Sequence, residues 1–303
     1  MNKKILTVAA FLAAASLSFG FTTWYGADGN ERVDTELDAG DDNSGYWYSY
    51  ADDADGGKSS VTWKVPAGNE WDDNSLQPVV EACGGVCGTF ALDKGGLEYN
   101  PFVGIGFNVA GADAGGKAIP TNASAMKGVC IGYMVTAAAT LELGLGDKKD
   151  ADIGFANPSV DLAAAKSGAA KDFAWAKFKQ PSWATETISI DDAVASLASI
   201  KFKIQGKDGT TGSFNIISVG DFEGGCTADA DAIGAKAMGS SLKAQLSGRA
   251  LSFGKTVAKA EIVNLQGQVV MAASSVKTMD LSKLQAGVYM VRAMGLSQQI
   301  MLK

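Results

Sequence analysis

The chain contains no histidine. Imidazole is therefore missing as general base, proton shuttle and metal ligand, which excludes serine triads, cysteine–histidine dyads and zinc-protease sites. Chemistry is left to carboxylates, amines, thiols and aromatic rings. The four cysteines are Cys83, Cys87, Cys130 and Cys226. An even number predicts two disulfides wherever the compartment is oxidising, three connectivities exist, and the expected pairs are Cys83 with Cys87 and Cys130 with Cys226. Their spacing fits no usual zinc ligand set. Side chains alternate along a strand, so in Ile200–Gln205 the apolar Ile200, Phe202 and Ile204 share one face, and Lys201, Lys203 and Gln205 share the other. By the same rule Leu141, Leu143 and Leu145 point inward and Thr140 and Glu142 outward. Ile131, Tyr133 and Val135 likewise point inward, with Gly132 and Met134 outward. Placed as neighbours in one sheet, Glu142, Lys201, Lys203 and Gln205 line one hydrogen-bonding surface. Flat apolar surface for stacking is supplied by Trp47, Tyr48, Tyr50, Trp63, Trp71 and Trp175, with Trp47 and Trp175 favoured as outward platforms.

Elements that position these groups are short. From Val33 to about Asp221, apolar-alternating segments are separated by Gly, Asn and Asp clusters, the pattern of antiparallel sheets. Strands are expected at Val33–Leu37, Tyr46–Tyr50, Ser60–Val65, Gly88–Leu92, Phe102–Val109, Val129–Val135, Thr140–Leu145, Phe173–Phe178, Ile200–Gln205 and Ser213–Val219. One or two helical turns are expected at Val160–Lys166 and at Asp191–Ala198, the latter capped by Asp191. So many strands at this spacing predict an all-β fold, a two-sheet sandwich. The stretch 223–240 is small and polar with no apolar period and reads as a linker. Beyond it, Leu242–Phe253, Ala258–Val270, Thr278–Leu281, Val288–Ala293 and Gln298–Leu302 form a second strand set with turns at Gln266-Gly267 and Ala286-Gly287. About sixty residues is near the lower limit for an independent core.

Met1-Asn2-Lys3-Lys4, the apolar run Ile5–Leu17 and the small-residue site Ser18-Phe19-Gly20 read as a secretory signal peptide over residues 1–20. The apolar run is shorter than the roughly 20 residues that span a bilayer, and no later segment is longer, so no transmembrane segment is expected. The remainder suits about two domains. A formal charge of -7 with no local Lys/Arg cluster argues against nucleic acid as a partner.

Two stretches resemble known families. Val33–Asp38, Asp41–Gly45, Tyr46–Tyr50 and Asp52–Ser60 resemble the opening of galactose-binding-like jelly rolls. Phe178-Lys179-Gln180-Pro181-Ser182-Trp183, Ile200–Gln205 and Gly212–Val219 look like the closing half of β-glucan-binding modules of that kind. The resemblance covers residues 31 to 223, and Lys203-Ile204 departs from the aromatic often found there in such modules. It implies a β-jelly-roll carbohydrate-binding domain over 21–222, binding plant-type polysaccharide through Trp47, Tyr48, Tyr50, Glu142, Trp175, Lys201, Lys203 and Gln205. It also implies a structural calcium at Asp34, Glu36 and Asp221, against which stands the reading of these acids as solvated turn residues; no other cofactor is expected. Asp53-Ala54-Asp55-Gly56 is similar to the start of a calcium loop but has no downstream bidentate Glu, so it reads as a turn. Glycoside hydrolysis needs two carboxylates held across a cleft, and a single jelly roll without a further catalytic domain is expected to bind rather than cleave. The alternatives are a structural or adhesive surface protein without sugar binding, or a small glycan hydrolase or lyase.

In the tail, Ala260–Val270 and Met279-Asp280-Leu281-Ser282-Lys283-Leu284-Gln285-Ala286-Gly287-Val288-Tyr289-Met290-Val291-Arg292-Ala293, ending on Lys303, resemble the C-terminal sorting domain of type IX secretion cargo. Gln298-Gln299 departs from it where a basic residue is frequent. The resemblance implies a small immunoglobulin-like β-sandwich over 241–303, contact with the secretion machinery, and a place in the medium or on the outer surface of a Gram-negative bacterium.

Overall fold

The structure is a computed structural model that describes residues 21–69, 74–228, 244–264, 269–293 and 296–302. The leader expected at 1–20, Trp71, the linker from 229 to 240, the turn at Gln266-Gly267 and Lys303 lie outside the described residues.

Among the described residues, eleven strands build the larger unit: β1 (Trp24–Tyr25), β2 (Trp47–Ala51), β3 (Ser60–Trp63), β4 (Val86–Ala91), β5 (Phe102–Asn108), β6 (Gly128–Val135), β7 (Ala139–Gly144), β8 (Ser159–Leu162), β9 (Ala165–Ala174), β10 (Ser199–Gln205) and β11 (Thr211–Asp221). Three short helices, α1 (Gln77–Cys83), α2 (Asp147–Asp152) and α3 (Ile190–Val194), sit in the connections. A front sheet runs β2-β5-β10-β7-β8, and a back sheet runs β3-β4-β11-β6-β9 with β1 also on β11. Every pairing in both is antiparallel. Only β3–β4 and β7–β8 are joined within one sheet; every other connection crosses to the opposite sheet, which makes the unit a jelly roll.

The core lies between the sheets because alternate residues face inward. The front sheet contributes Val103, Ile105, Phe107, Leu141, Leu143, Ile200, Phe202 and Ile204, and the back sheet Val86, Phe90, Val129, Ile131, Tyr133, Val135, Phe214, Ile216 and Val219. The alternation expected around Ile131, Leu141 and Ile200 is the one observed.

Four local expectations are corrected. Phe173–Phe178 is a strand only as far as Ala174, where β9 ends, and a 3-10 turn covers Trp175–Lys177. Val33–Leu37 is irregular rather than a strand, because single hydrogen bonds, Val33 N–H to Gly45 O (2.9 Å) and Thr35 Oγ1 to Val109 O (2.6 Å), fasten it instead of a ladder. Val160–Lys166 is no helix: Val160 and Leu162 alternate into the core as β8 and the chain turns into β9. Ser189, not Asp191, caps α3; its Oγ accepts the Asp192 N–H at 3.0 Å and donates to the Asp192 carboxylate at 2.6 Å.

Disulfides join Cys83 to Cys87, linking the end of α1 to β4, and Cys130 to Cys226, linking β6 to the segment after β11. The tail is a small β domain of five strands, β12 (Ala244–Ser247), β13 (Ala250–Val263), β14 (Val269–Asp280), β15 (Gly287–Ala293) and β16 (Leu296–Leu302), ordered β12-β13-β15-β16 with β14 on β13. Leu251, Phe253, Ile262, Met279, Leu281, Val291, Ile300 and Leu302 form its own core.

Candidate functional site

The outward face of the front sheet gathers most of the polar residues expected to act together. Register sets them in rungs. Tyr48, Gly106, Lys201, Glu142 and Ser159 lie side by side across β2, β5, β10, β7 and β8, and the next rung is Tyr50, Gly104, Lys203, Thr140 and Asp161. Gly104 and Gly106 leave room for the tyrosines. A Cβ at 104 would lie 2.1 Å from the Tyr50 ring, and one at 106 would lie 3.2 Å from the Tyr48 hydroxyl oxygen. Glycine inside a strand marks such a close approach.

Charges on this face are interlocked. Lys203 Nζ sits 3.3 Å from Glu142 Oε2 and 4.6 Å from the Phe102 ring centroid. Lys201 Nζ lies 3.9 Å from both Glu142 Oε1 and Asp150 Oδ2, and 5.7 Å from the Tyr50 ring. Burial pushes the Tyr48 hydroxyl up to about 12, with a Ser199 hydrogen bond acting against it and the Asp150 and Glu142 charges acting with it. Burial, and after it the Glu142 charge, holds Tyr50 well above the ordinary tyrosine value. Both hydroxyls therefore stay protonated at neutral pH. Gln205, at the end of β10, is exposed and donates to Asn100 O at 2.8 Å.

An open cleft of about 670 Å³ begins on this face and continues past β8. Glu142, Lys203 and Gln205 line it together with Thr140, Asp161, Phe155 and Trp183. Phe155 and Trp183 are 67% and 62% exposed, and Phe155 holds a left-handed backbone at φ 59°. Neither had been singled out as a platform. Both stand in loops, Gly154-Phe155 after α2 and Pro181-Ser182-Trp183 after β9, where no periodicity reports which way a ring points. A smaller pocket of about 310 Å³ at the opposite end of the rungs contains Tyr48, Ser199 and Lys201.

The two favoured platforms are corrected. Trp47 is 3% exposed and packs between Trp24 and Phe107, with ring centroids 5.2 and 5.0 Å away. Trp175 is 7% exposed and packs on Phe178 at 5.5 Å. Both belong to the hydrophobic core of the larger unit. Trp63 packs against Phe214 at 6.1 Å.

Asp34, Glu36 and Asp221 do not assemble into the oxygen-rich donor set that calcium requires. Asp34 and Glu36 are exposed, and Asp34 Oδ1 accepts the Glu36 N–H at 3.3 Å as a local turn. Asp221 ends β11, its carboxyl raised by burial. Among the described residues no group of three His, Cys, Asp or Glu is placed to hold a metal ion, and no helix is long and apolar enough to cross a membrane.

Among solved structures, a family 11 carbohydrate-binding module of a cellulosomal cellulase of Clostridium thermocellum is similar at 11% identity over 60% of this chain and 89% of that one, with a TM-score of 0.29. A family 11 module from the same organism, in complex with a beta-1,3-1,4-mixed-linked tetrasaccharide, matches at 9% identity over 66% and 95%, with a TM-score of 0.31. A beta-1,2-glucanase from Parabacteroides distasonis matches at 7% identity over 85% of this chain but 36% of that one, with a TM-score of 0.33. At such scores the jelly roll is read from this chain's own strand order. No curated protein matches the chain. Residues 246–303 match the secretion system C-terminal sorting domain, so the small C-terminal β domain is a type IX sorting domain and the protein is exported to the outer surface or the extracellular space.

Proposed function

We propose that the protein is an exported, non-catalytic glycan-binding protein whose site is the cleft on the front sheet. One observation carries this reading: Phe155 and Trp183 are held in water on the wall of a cleft whose floor is made of hydrogen-bonding side chains. Exposing two large rings forgoes their burial, and a left-handed backbone at a bulky residue costs roughly a further 1 kcal/mol or more. A ligand that stacks on the rings while its hydroxyls meet Glu142, Lys203, Thr140 and Asp161 takes the rings out of water. A pyranose chain has that chemistry. The acidic chain, at net -7, favours a neutral polysaccharide over a polyanionic one. The plant-type class comes from the sequence resemblance of residues 31 to 223. The binding reading is also favoured over hydrolysis because the central carboxylates are engaged: Glu142 faces both lysines, and Asp150 accepts the Leu145 N–H at 2.8 Å.

Pull-down of the full chain on insoluble cellulose, xylan and mixed-linkage glucan tests it. Phe155→Ala and Trp183→Ala are expected to weaken binding at least about fivefold each, at roughly 1–3 kcal/mol per lost ring contact. Glu142→Gln should weaken binding less. Full retention by the double Phe155→Ala/Trp183→Ala variant, or release of reducing ends by the wild type, would overturn the reading.

A further inference from the structure

The segment that follows β11 reads from composition as the start of a linker, yet every residue from Phe222 to Ala228 is fastened to the larger unit. Phe222 N–H donates to Met126 O at 3.3 Å, and Glu223 N–H to Asp172 Oδ1 at 2.9 Å. Gly224 O accepts from Thr23 Oγ1 at 2.6 Å, and Gly225 O from the Tyr25 hydroxyl at 3.1 Å. Cys226 is bonded to Cys130. Thr227 N–H donates to Ser218 Oγ at 2.9 Å, and Ser218 Oγ donates back to Thr227 O at 2.7 Å. Ala228 lies against Gly168, where an added Cβ would sit 2.9 Å from its methyl carbon. Gly132 is shaped to the same segment, since a Cβ there would sit 1.7 Å from Thr227 O. The small residues that suggest a linker are those that let this strap lie flat across the outward face of β11, β6 and β9.

The disulfide stands at a particular place in the ladder. Cys130 pairs in register with Gly220, one step from the last pair of β11 with β6, Asp221 with Val129. Its sulfur crosses that pair: a Cβ at Gly220 would lie 3.1 Å from Cys130 Sγ. Tension drawn on the chain from its C-terminal side reaches the sandwich through this strap. On an unclasped β11, it would strip the ladder pair by pair from Asp221 inward, each step opposed by one or two hydrogen bonds. With Cys226 bonded to Cys130, the end of β11 cannot part from β6, and the pull is delivered to two interior strands of the back sheet together.

We propose that residues 222–228 and the Cys130–Cys226 bond form a mechanical clasp that keeps the sandwich closed when the chain is pulled from its C-terminal side while the front sheet is engaged. This rests on the glycan-binding reading for the source of the tension, and the test is made without sugar so that the two can fail separately. The full chain is pulled in single-molecule force spectroscopy between an azide-bearing residue at position 183 and the C-terminus. Opening of the larger unit is expected at a force about twofold higher in the wild type than in the Cys130→Ala/Cys226→Ala variant, because forced unfolding follows the unfolding rate. The same drop is expected when the folded wild type is pulled in a thiol reductant, which covers the case in which the variant does not fold. A Cys83→Ala/Cys87→Ala chain should open at the wild-type force. Equal opening forces with and without the Cys130–Cys226 bond would overturn the proposal, as would an equal drop on loss of Cys83–Cys87.

Discussion

A carboxylate that gathers several N–H donors gives up its proton readily, and Asp38 is built that way. Burial alone would raise its carboxyl, but the Ser44 hydroxyl and the backbone N–H groups of Gly40, Ser44 and Asp42 outweigh it and hold Asp38 at about 2. These bonds shape the turn of residues 38–44 that leads the chain toward β2. Its folded value lies below the roughly 3.9 of an unfolded aspartate, so its contribution is complete above about pH 4 and lost as pH falls through about 2. Asp38→Ala should therefore lower stability by roughly 1 kcal/mol at pH 7, with the gap from wild type closing toward pH 2. Urea midpoints at both pH values check this, and a gap independent of pH would contradict it. At the same scale the sequence was legible where alternation applied: spacing put Lys201, Lys203 and Gln205 on one face of their strand and Glu142 on the outward face of its own, and the pairing of β10 with β7 puts them side by side. It was not legible for the rings. Tyr46–Tyr50 is aromatic on both faces, so nothing in it says that Trp47 turns inward while Tyr48 and Tyr50 turn out.

Gly104 and Gly106 work at the scale of an element. They alternate along β5 as Tyr48 and Tyr50 alternate along β2, and the register places each glycine beside a tyrosine. Two rings can thus lie down over the sheet without lifting its backbone. Gly104→Val should cost about 1–3 kcal/mol, the usual range for overpacking, and should change the near-ultraviolet circular dichroism as the Tyr50 ring is displaced. Wild-type stability with an unchanged tyrosine signal would show that the ring has another place to rest. The glycine-x-glycine pattern was visible in the sequence, but its meaning depends on which strand lies alongside, and that is long-range information. The strap after β11 illustrates the converse. Small residues without a period describe both a solvated linker and a segment pressed against glycines, and the Cys130–Cys226 bond together with the hydrogen bonds of residues 222–227 separates them.

At the scale of the whole molecule, the absence of histidine has a functional side. No imidazole titrates between pH 5 and 8, and Tyr48 on the front face titrates at about 12. Glycan affinity should therefore vary by less than about twofold between pH 5.5 and 8. A steep midpoint near neutrality, measured by isothermal calorimetry, would mean that a group outside this face governs binding. The all-β class and the sorting tail were legible from pattern, because each is repeated along many residues; the strand count was not, since Val33–Leu37 reads as a strand and β8 as a helical turn. The helices α1 and α2 and the two-residue β1 were not, being too short for a period to emerge.

That shortest strand carries a consequence in time. Trp24 and Tyr25 pair with Val219 and Ser218, so the first strand of the jelly roll has its partner nearly two hundred residues downstream. Contacts of that span form late, after the loop between them has closed. During synthesis, and until β11 has emerged, the segment next to the expected leader has no ladder to join. The back sheet is therefore completed only once both ends of the larger unit have been made, and a chain that stops short of β11 lacks the partner that Trp24 and Tyr25 require.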